Sequence, residues 1–281
     1  MNEFSERTEM LLPEPAHALG SLLAVHVPDL ARGEGLPLLW HWLYLLDRPA
    51  QADLGPDGAP LRGTIAAFPG SGRRRMWAGG VVRTNGQLRC GDRANKRSRV
   101  LSVQEKQGRS GPLTFITVEH QVLQRGHVVI DEQQNIVYSE AASHVAQLPT
   151  PSDDGPPVER VPGEWAIEVT PTLLFRFSAL TYNAHRIHYD RDYARQAEGY
   201  PGLLTHGPLQ ALAMAEAARA AGYHGSQDDG RLRFGYRLTS PLFDYQGMVV
   251  SADREQDAIR TAVRDVHRRQ TATGTLRSAS E

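Results

Sequence analysis

Between Phe175 and Asp190 the chain reads Phe-Arg-Phe-Ser-Ala-Leu-Thr-Tyr-Asn-Ala-His-Arg-Ile-His-Tyr-Asp, which brings two histidines, two arginines, two tyrosines, an asparagine and an aspartate into sixteen residues. An imidazole has an ordinary pKa of ~6.5, which suits it to take up and return a proton at neutral pH. His185 and His188 are therefore the candidates for acid–base work. Their i, i+3 spacing also suits two metal ligands, but a catalytic zinc usually has three protein ligands. No acid or further histidine is obviously placed to complete such a set, so no metal is expected. Downstream lies Gly202-Leu-Leu-Thr-His-Gly-Pro208, which delivers Gly207 to the start of an apolar helix. The first amides of a helix have no intrahelical partner and the helix dipole favours negative charge there. The Gly207 N–H can therefore hold a carbonyl oxygen while charge builds on it. A base-bearing loop followed by such a helix start is one arrangement for chemistry next to a carbonyl. His206 reads as a buttress for that turn. Arg176, Arg186 and Arg75 are candidates for gripping a carboxylate or phosphate, which a planar bidentate donor suits; ordinary surface pairing is the alternative for each. The Arg73-Arg74-Arg75 run is the best basic candidate for holding phosphate groups, with a solvated turn as the alternative.

Those residues need a frame, and the pattern supplies two halves. Gln147 to Gly163 carries five prolines in seventeen residues; proline donates no ladder or helix hydrogen bond, so the segment reads as a linker between residues 1–146 and 164–281. In the first half, Leu36 to Leu46 is apolar nearly all round and is expected to form a buried helix that carries Trp40, Trp42 and Tyr44 into the core. Strand signals follow at Arg75–Arg83, Lys96–Lys106, Leu113–Leu123 and His127–Tyr138, with Arg125-Gly126 as a hairpin turn. In the second half, Trp165–Val169 is a short strand, Thr172–Asp190 a connection, and Pro208–Ala221 the best helix in the chain, with proline in its first turn and Gly222 at its end. Strands are expected at Arg231–Leu238, Gly247–Arg254 and Ala258–Arg268. Each half thus reads as one principal helix and an antiparallel sheet, an α+β arrangement in which the helix and the sheet bury each other's apolar faces.

Phe175–Asp190 together with Gly202–Gly207 resembles the signature of the R-specific enoyl-thioester hydratases and MaoC-type dehydratases. It is most similar to the branch of the mitochondrial-type 3-hydroxyacyl-thioester dehydratases and the bacterial mesaconyl-CoA and itaconyl-CoA hydratases. Pro37–Leu43, Arg75–Gly80, Arg109–Leu113 and Asp131–Tyr138 resemble the N-terminal half of the same branch. The resemblance implies a double hot-dog fold, with two antiparallel sheets each wrapped on a central helix. The N-terminal half would shape the acyl/CoA pocket and the C-terminal half would supply catalysis. It implies reversible hydration of an enoyl-CoA without a cofactor, and the branch points to a branched dicarboxylic acyl group. On the family's pattern of an aspartate, an asparagine two positions later and a histidine three beyond that, the matching positions are Asn183, His185 and His188, and the thioester-holding glycine falls on Gly207. The histidine transfers and the aspartate does not. Asparagine cannot accept a proton at neutral pH, so His188 is expected to be the base, with Asn183 holding the water and His185 or Asp190 assisting. A hot-dog thioesterase and a non-catalytic acyl-thioester binding or partner subunit are the rival readings.

Composition narrows the setting. The 281 residues carry 31 Lys+Arg and 32 Asp+Glu, a formal net charge of −1, which gives no net field to gather nucleic acid or an anionic membrane. The longest apolar stretch is far short of the ~20 residues a membrane helix needs, and the first twenty residues lack the pattern of a secretory signal. The single cysteine, Cys90, forms no internal disulfide and reads as inert. A cytoplasmic protein acting on a thioester, with no nucleic-acid or membrane partner and a lean toward a homodimer, is the expectation.

Overall fold

The computed structural model describes residues 4–61, 73–108, 111–140, 159–222 and 231–279. Most of the Pro-rich 147–163 segment, through residue 158, and the first two residues of the Arg109–Leu113 motif lie outside them. Five strands precede that segment: β1 (Ser5–Met10), β2 (Arg73–Asn85), β3 (Arg93–Gly108), β4 (Gly111–Gln124) and β5 (His127–Glu140). Five follow it: β6 (Trp165–Ile167), β7 (Arg231–Leu238), β8 (Met248–Arg254), β9 (Ile259–Arg264) and β10 (Gln270–Ser278). All pair antiparallel in the order β1-β3-β4-β5-β2-β7-β10-β9-β8-β6. The two half-sheets are thus one ten-stranded sheet among the described residues, joined where β2 pairs with β7. This is the expected double hot dog, with its two sheets fused edge to edge.

The alternation of β-branched and aromatic residues placed β2–β5 and β7–β9 within a few residues of their observed ends. The β4–β5 hairpin turns at Arg125 (φ 52°) and Gly126 (φ 81°), both in the left-handed region that a tight two-residue hairpin needs. Helix α4 (Gly207–Ala220) also stands where its run of strong helix formers put it, with Pro208 in its first turn. It is buried on nearly every side and packs on β8, β9 and β10.

Four expectations are corrected. Leu36–Leu46 is not a helix: only Trp40–Leu43 makes a single 3₁₀ turn, and Leu39 and Leu45 have positive φ. A segment apolar on all sides needs burial but not regular structure, and here it is wedged into the core as irregular chain, with Trp40 and Tyr44 buried. The regular helix of the first half is α1 (Glu14–Leu23), in a stretch where the sequence predicts no element, and it packs chiefly on α2 (Pro171–Leu180). Helix α2 replaces the first half of the connection expected at 172–190; Thr170 caps it by accepting from the Leu173 N–H, and Pro171 occupies its first turn. The expected Ala258–Arg268 strand ends at Arg264, and β10 follows; strand β1 and a short helix α3 (Arg191–Gln196) are further elements not expected from the sequence.

One core spans both halves. The Trp40 indole N–H donates to Glu216 on α4 at 2.8 Å, and Arg219 closes on the same carboxylate from α4 itself. A buried hydrogen bond to a charged group contributes about 1.5–3 kcal/mol. Trp40→Phe keeps most of the ring volume and removes that donor, so urea unfolding should show a loss of about 1–3 kcal/mol; an unchanged midpoint would mean that the tie contributes nothing.

Candidate active site

Helix α2 ends in a Schellman turn. Tyr182 adopts φ 52° and the Asn183 N–H reaches back to the Ser178 carbonyl at 2.8 Å, which satisfies the last carbonyls of the helix and turns the chain sharply. Asn183 then accepts from the His185 N–H at 3.0 Å. Because its carbonyl oxygen is engaged in that turn, its amide N–H₂ is the half available as a donor. One 3₁₀ turn, Arg186–His188, follows. The segment is clamped from the first half of the chain: the Asp57 carbonyl accepts from the Arg186 N–H at 2.8 Å, and the Pro56 carbonyl from its guanidinium at 2.9 Å. Gly58 makes this approach possible. It has φ +80°, and a Cβ there would stand 1.9 Å from the Ala184 carbonyl oxygen.

His188 is buried, and its Nδ1 lies 2.8 Å from the Leu204 carbonyl oxygen. A carbonyl can only accept, so Nδ1 carries the proton and Nε2 is left as a lone-pair acceptor. Leu204 is itself held by its N–H to the Ile187 carbonyl, which ties the loop to the chain entering α4. The His188 ring stacks on that of His206, centroids 3.7 Å apart and planes 19° apart, and His206 is bonded through Nε2 to the Ser178 hydroxyl at 2.8 Å. His206, fully buried, is thus the buttress the sequence suggested. His206 is followed directly by Gly207, whose amide opens α4 with no side chain capping that end. A Cβ on Gly207 would come 2.3 Å from a Leu238 methyl, so only glycine leaves that amide approachable without displacing a wall.

Burial, then the neighbouring His185, and more distantly Arg75, push the His188 pKa down to about 3. Burial and Arg75 push His185 down to about 4, and burial holds His206 well below the ordinary range. Three adjacent imidazoles are therefore neutral at physiological pH, and His188 is ready to accept a proton rather than already holding one.

His185, His188, Asn183, Gly207 and Arg75 all line one cavity of about 1100 Å³ that runs between α2, the start of α4 and the inner face of the first half-sheet. Of the predicted arginines, only Arg75 reaches it. It is half-buried, hydrogen bonded to Tyr138, and its Nε has no partner among the described residues. Arg186 is paired with Asp190 at 2.7 Å and stacked over Tyr193, and Arg176 stands exposed on α2; neither lines the cavity. Arg74, from the basic run, is buried against Glu198 and Tyr200. Trp42, expected in the core, lines the cavity instead. Cys90 touches the Tyr44 hydroxyl at 3.7 Å, and burial raises its pKa, which keeps it a thiol. Among the described residues no cluster of three or more metal-ligating side chains occurs. The sequence reading missed the Asp57–Gly58 clamp, Ser178, and the polar lining His41, Lys96, His120, Glu132 and Gln134. The last group had a visible signal: Asp-Glu-Gln-Gln-Asn sits in the middle of an otherwise apolar strand, β5.

Fold and site define a hot-dog protein with a neutral histidine and an uncapped helix start on the wall of one cavity. Two solved structures from Mycobacterium tuberculosis share the fold: HtdX, at TM-score 0.70 and 15% identity over 99% of this chain and 100% of that one, and a protein described as a double hot-dog fold, at TM-score 0.57 and 16% identity over 99% and 95%. This chain belongs to the hydroxyacyl-thioester dehydratase type 2 family, whose model matches residues 39–244. It is also 46% identical over 213 residues, 74% of this chain and 71% of the relative, to a mesaconyl-C(4)-CoA hydratase of Chloroflexus aurantiacus.

The lowered pKa values carry a sign that can be checked. His188 should stay neutral, with its proton on Nδ1, from pH 8 down to 5 in a ¹⁵N imidazole NMR titration; a midpoint near 6.5 would contradict the geometry. The unfolded chain takes up these protons near pH ~6.5. Stability should therefore fall as pH drops from about 6.5 toward 4, by up to about 1.4 kcal/mol per pH unit for each histidine kept neutral.

Proposed function

We propose that this protein catalyses reversible hydration of an α,β-unsaturated acyl-CoA thioester, with a short, branched dicarboxylic acyl group of the mesaconyl or itaconyl type as its substrate. The observation that carries the reading is the His188 tautomer: a neutral imidazole, fixed by Leu204, whose free Nε2 belongs to the same cavity wall as the Gly207 amide. The family assignment and the mesaconyl-C(4)-CoA hydratase relative support the substrate class.

The chemistry follows from those groups. The thioester carbonyl accepts from the Gly207 N–H, aided by the dipole of α4, and this polarises the double bond so that the β-carbon becomes electron-poor. A water held by the Asn183 amide gives a proton to His188 Nε2 as its oxygen bonds to the β-carbon. The π electrons move toward the carbonyl oxygen and make an enolate at the helix start. The His188 imidazolium then returns a proton to the α-carbon and the enolate collapses to the 3-hydroxyacyl thioester. Dehydration is the reverse path. A pKa of about 3 makes His188 a weak base in the resting site, so the step depends on the enolate that forms as the proton arrives: its negative charge, close to the ring, stabilises the imidazolium that burial alone disfavours. His185 tunes that field and shapes the loop. Arg75, with Nε unpaired among the described residues and its charge felt by both histidines, is placed to meet the acyl carboxylate. Arg176 faces the solvent where the CoA phosphates would pass, while Arg186 holds the loop through Asp190.

The acids lining the cavity are Asp47 and Glu132, both from the first half and neither at the start of α4. Among the described residues, a thioesterase working through a carboxylate beside the start of that helix has no group there to use. We assign catalysis to residues 164–281 and the acyl/CoA walls to residues 1–146, and infer a cytoplasmic homodimer. In the described residues no helix is long and apolar enough to cross a membrane.

His188→Ala should lower hydration of mesaconyl-CoA, followed by loss of the conjugated-alkene absorbance, by at least ~100-fold, with the circular dichroism spectrum unchanged and no CoA thiol released by either protein. Near-normal turnover in that variant would falsify the base assignment.

A further inference from the structure

The two half-sheets present opposite chemistry on equivalent inner faces. In the second half the neighbouring positions Phe234, Leu276 and Ile259, aligned across β7, β10 and β9, are all buried and apolar, and α4 packs on that sheet. In the first half the aligned row across β3, β4 and β5 is Ser98, His120 and Glu132, with Gln134 one inward position further along β5. The Ser98 hydroxyl meets His120 Nδ1 at 2.7 Å. Glu132, 2% exposed, is held by His41 Nε2 at 2.9 Å, the Trp42 indole at 3.0 Å and Gln134 at 2.7 Å. Lys96 lies on the same face beside this row, 3.8 Å from Asp47, the carboxylate it shares with Arg7. His41, Lys96, His120, Glu132 and Gln134 line the cavity that contains His188 and Gly207.

The cavity has a direction. Phe175, Tyr182 and Tyr189 on its lining are 59%, 55% and 41% exposed, whereas His41 and Glu132 are 6% and 2% exposed. The polyanionic end of CoA must stay in water, so a thioester seated at Gly207 sends its pantetheine arm out past the exposed tyrosines and its acyl group inward, toward the polar row. Burial would raise the Glu132 pKa, yet its hydrogen bond and charge interaction with His41, with His120 and Gln134, hold it at about 2. Lys96, His120 and Gln134, only half-buried on this floor, would therefore lose water to an aliphatic tail that replaces no hydrogen bond, beside a Glu132 charge already held by protein donors.

We propose that the Ser98–His120–Glu132 row is the specificity determinant of the acyl end: it admits short acyl groups and excludes fatty chains. An apolar tunnel rewards each methylene about fourfold in affinity; this floor withholds that gain. The inference rests on the thioester reading above, but it is tested by binding alone. Saturated acyl-CoAs cannot be hydrated, so dissociation constants for butyryl-CoA and octanoyl-CoA can be measured by calorimetry on the unaltered protein. Butyryl-CoA should bind at least tenfold tighter than octanoyl-CoA. In Ser98→Ala/His120→Leu, which leaves His41, Trp42 and Gln134 on Glu132, the ratio should move at least tenfold toward octanoyl-CoA. Ser98→Ala alone, which removes one hydroxyl and is the gentler change for folding, should move it the same way by a smaller factor. Octanoyl-CoA binding as tightly as butyryl-CoA to the unaltered protein, or a ratio unmoved in both variants, overturns the proposal even if mesaconyl-CoA is hydrated. The expected ratios, found together with no turnover of any enoyl-CoA, uphold the floor and remove the hydratase reading instead.

Discussion

One hydrogen bond governs the chemistry of this cavity, the one from His188 Nδ1 to the Leu204 carbonyl. It decides which nitrogen is protonated, and so which is free, before any ligand arrives. It works only because both partners are fixed: Leu204 by its amide to the Ile187 carbonyl, His188 by the short turn that the Asp57 carbonyl and Gly58 hold from the other half of the chain. The stacked His206 ring fills the space behind it and keeps water from the face that points away from the cavity. The same enclosure that fixes the tautomer lowers the basicity, so orientation is obtained at the expense of proton affinity. On the proposed hydration path, the enolate developing at Gly207 would supply what the resting site lacks.

The division of labour between the halves follows from what lies on each inner face. Where α4 covers the sheet, side chains interlock as ordinary apolar core. Where, among the described residues, the first half has no helix in that position, the irregular Leu36–Leu46 segment and the α1–α2 contact close the structure around its margin, and a cavity remains. An uncovered concave face is what a long ligand needs, and the polar side chains on it are held by one another: Glu132 alone accepts from His41, Trp42 and Gln134. A buried carboxylate so completely bonded is stable in place, whereas the same group with one donor removed would not be.

Much of this was legible in the sequence, for identifiable reasons. Strands β2–β5 and β7–β9 and helix α4 announce themselves because period-two alternation and helix-forming composition are local properties. The histidine loop and Gly207 stand out because polar, titratable residues are crowded there without a repetitive surface pattern. Leu36–Leu46 misled because all-round hydrophobicity specifies burial, not geometry; the positive φ values at Leu39 and Leu45 are imposed by the surrounding core. Helix α1 was missed although Ala16, Leu19, Gly20 and Leu23 are buried at helical spacing, because Pro15 and Gly20 interrupt its helix formers and its packing partner, α2, is some 150 residues away in sequence. The roles of Arg75 and Arg186 could not be separated by composition either. Only the fold shows that one faces the cavity while the other is neutralised by Asp190 four residues on.

The seam between β2 and β7 has a consequence for how such a chain can change over generations. Gly79, at φ +143°, would drive a Cβ to 2.3 Å from the Tyr236 carbonyl, and Gly80 would place one 2.9 Å from the Tyr236 hydroxyl, while the Trp77 indole bonds the same hydroxyl across the junction at 3.0 Å. The two halves are therefore matched at their border like a lock cut for a single key. Exchanging one half for that of a distant cousin would have to carry this glycine pair and its aromatic counterpart along, so the lineage is constrained to evolve as a unit rather than by shuffling its parts.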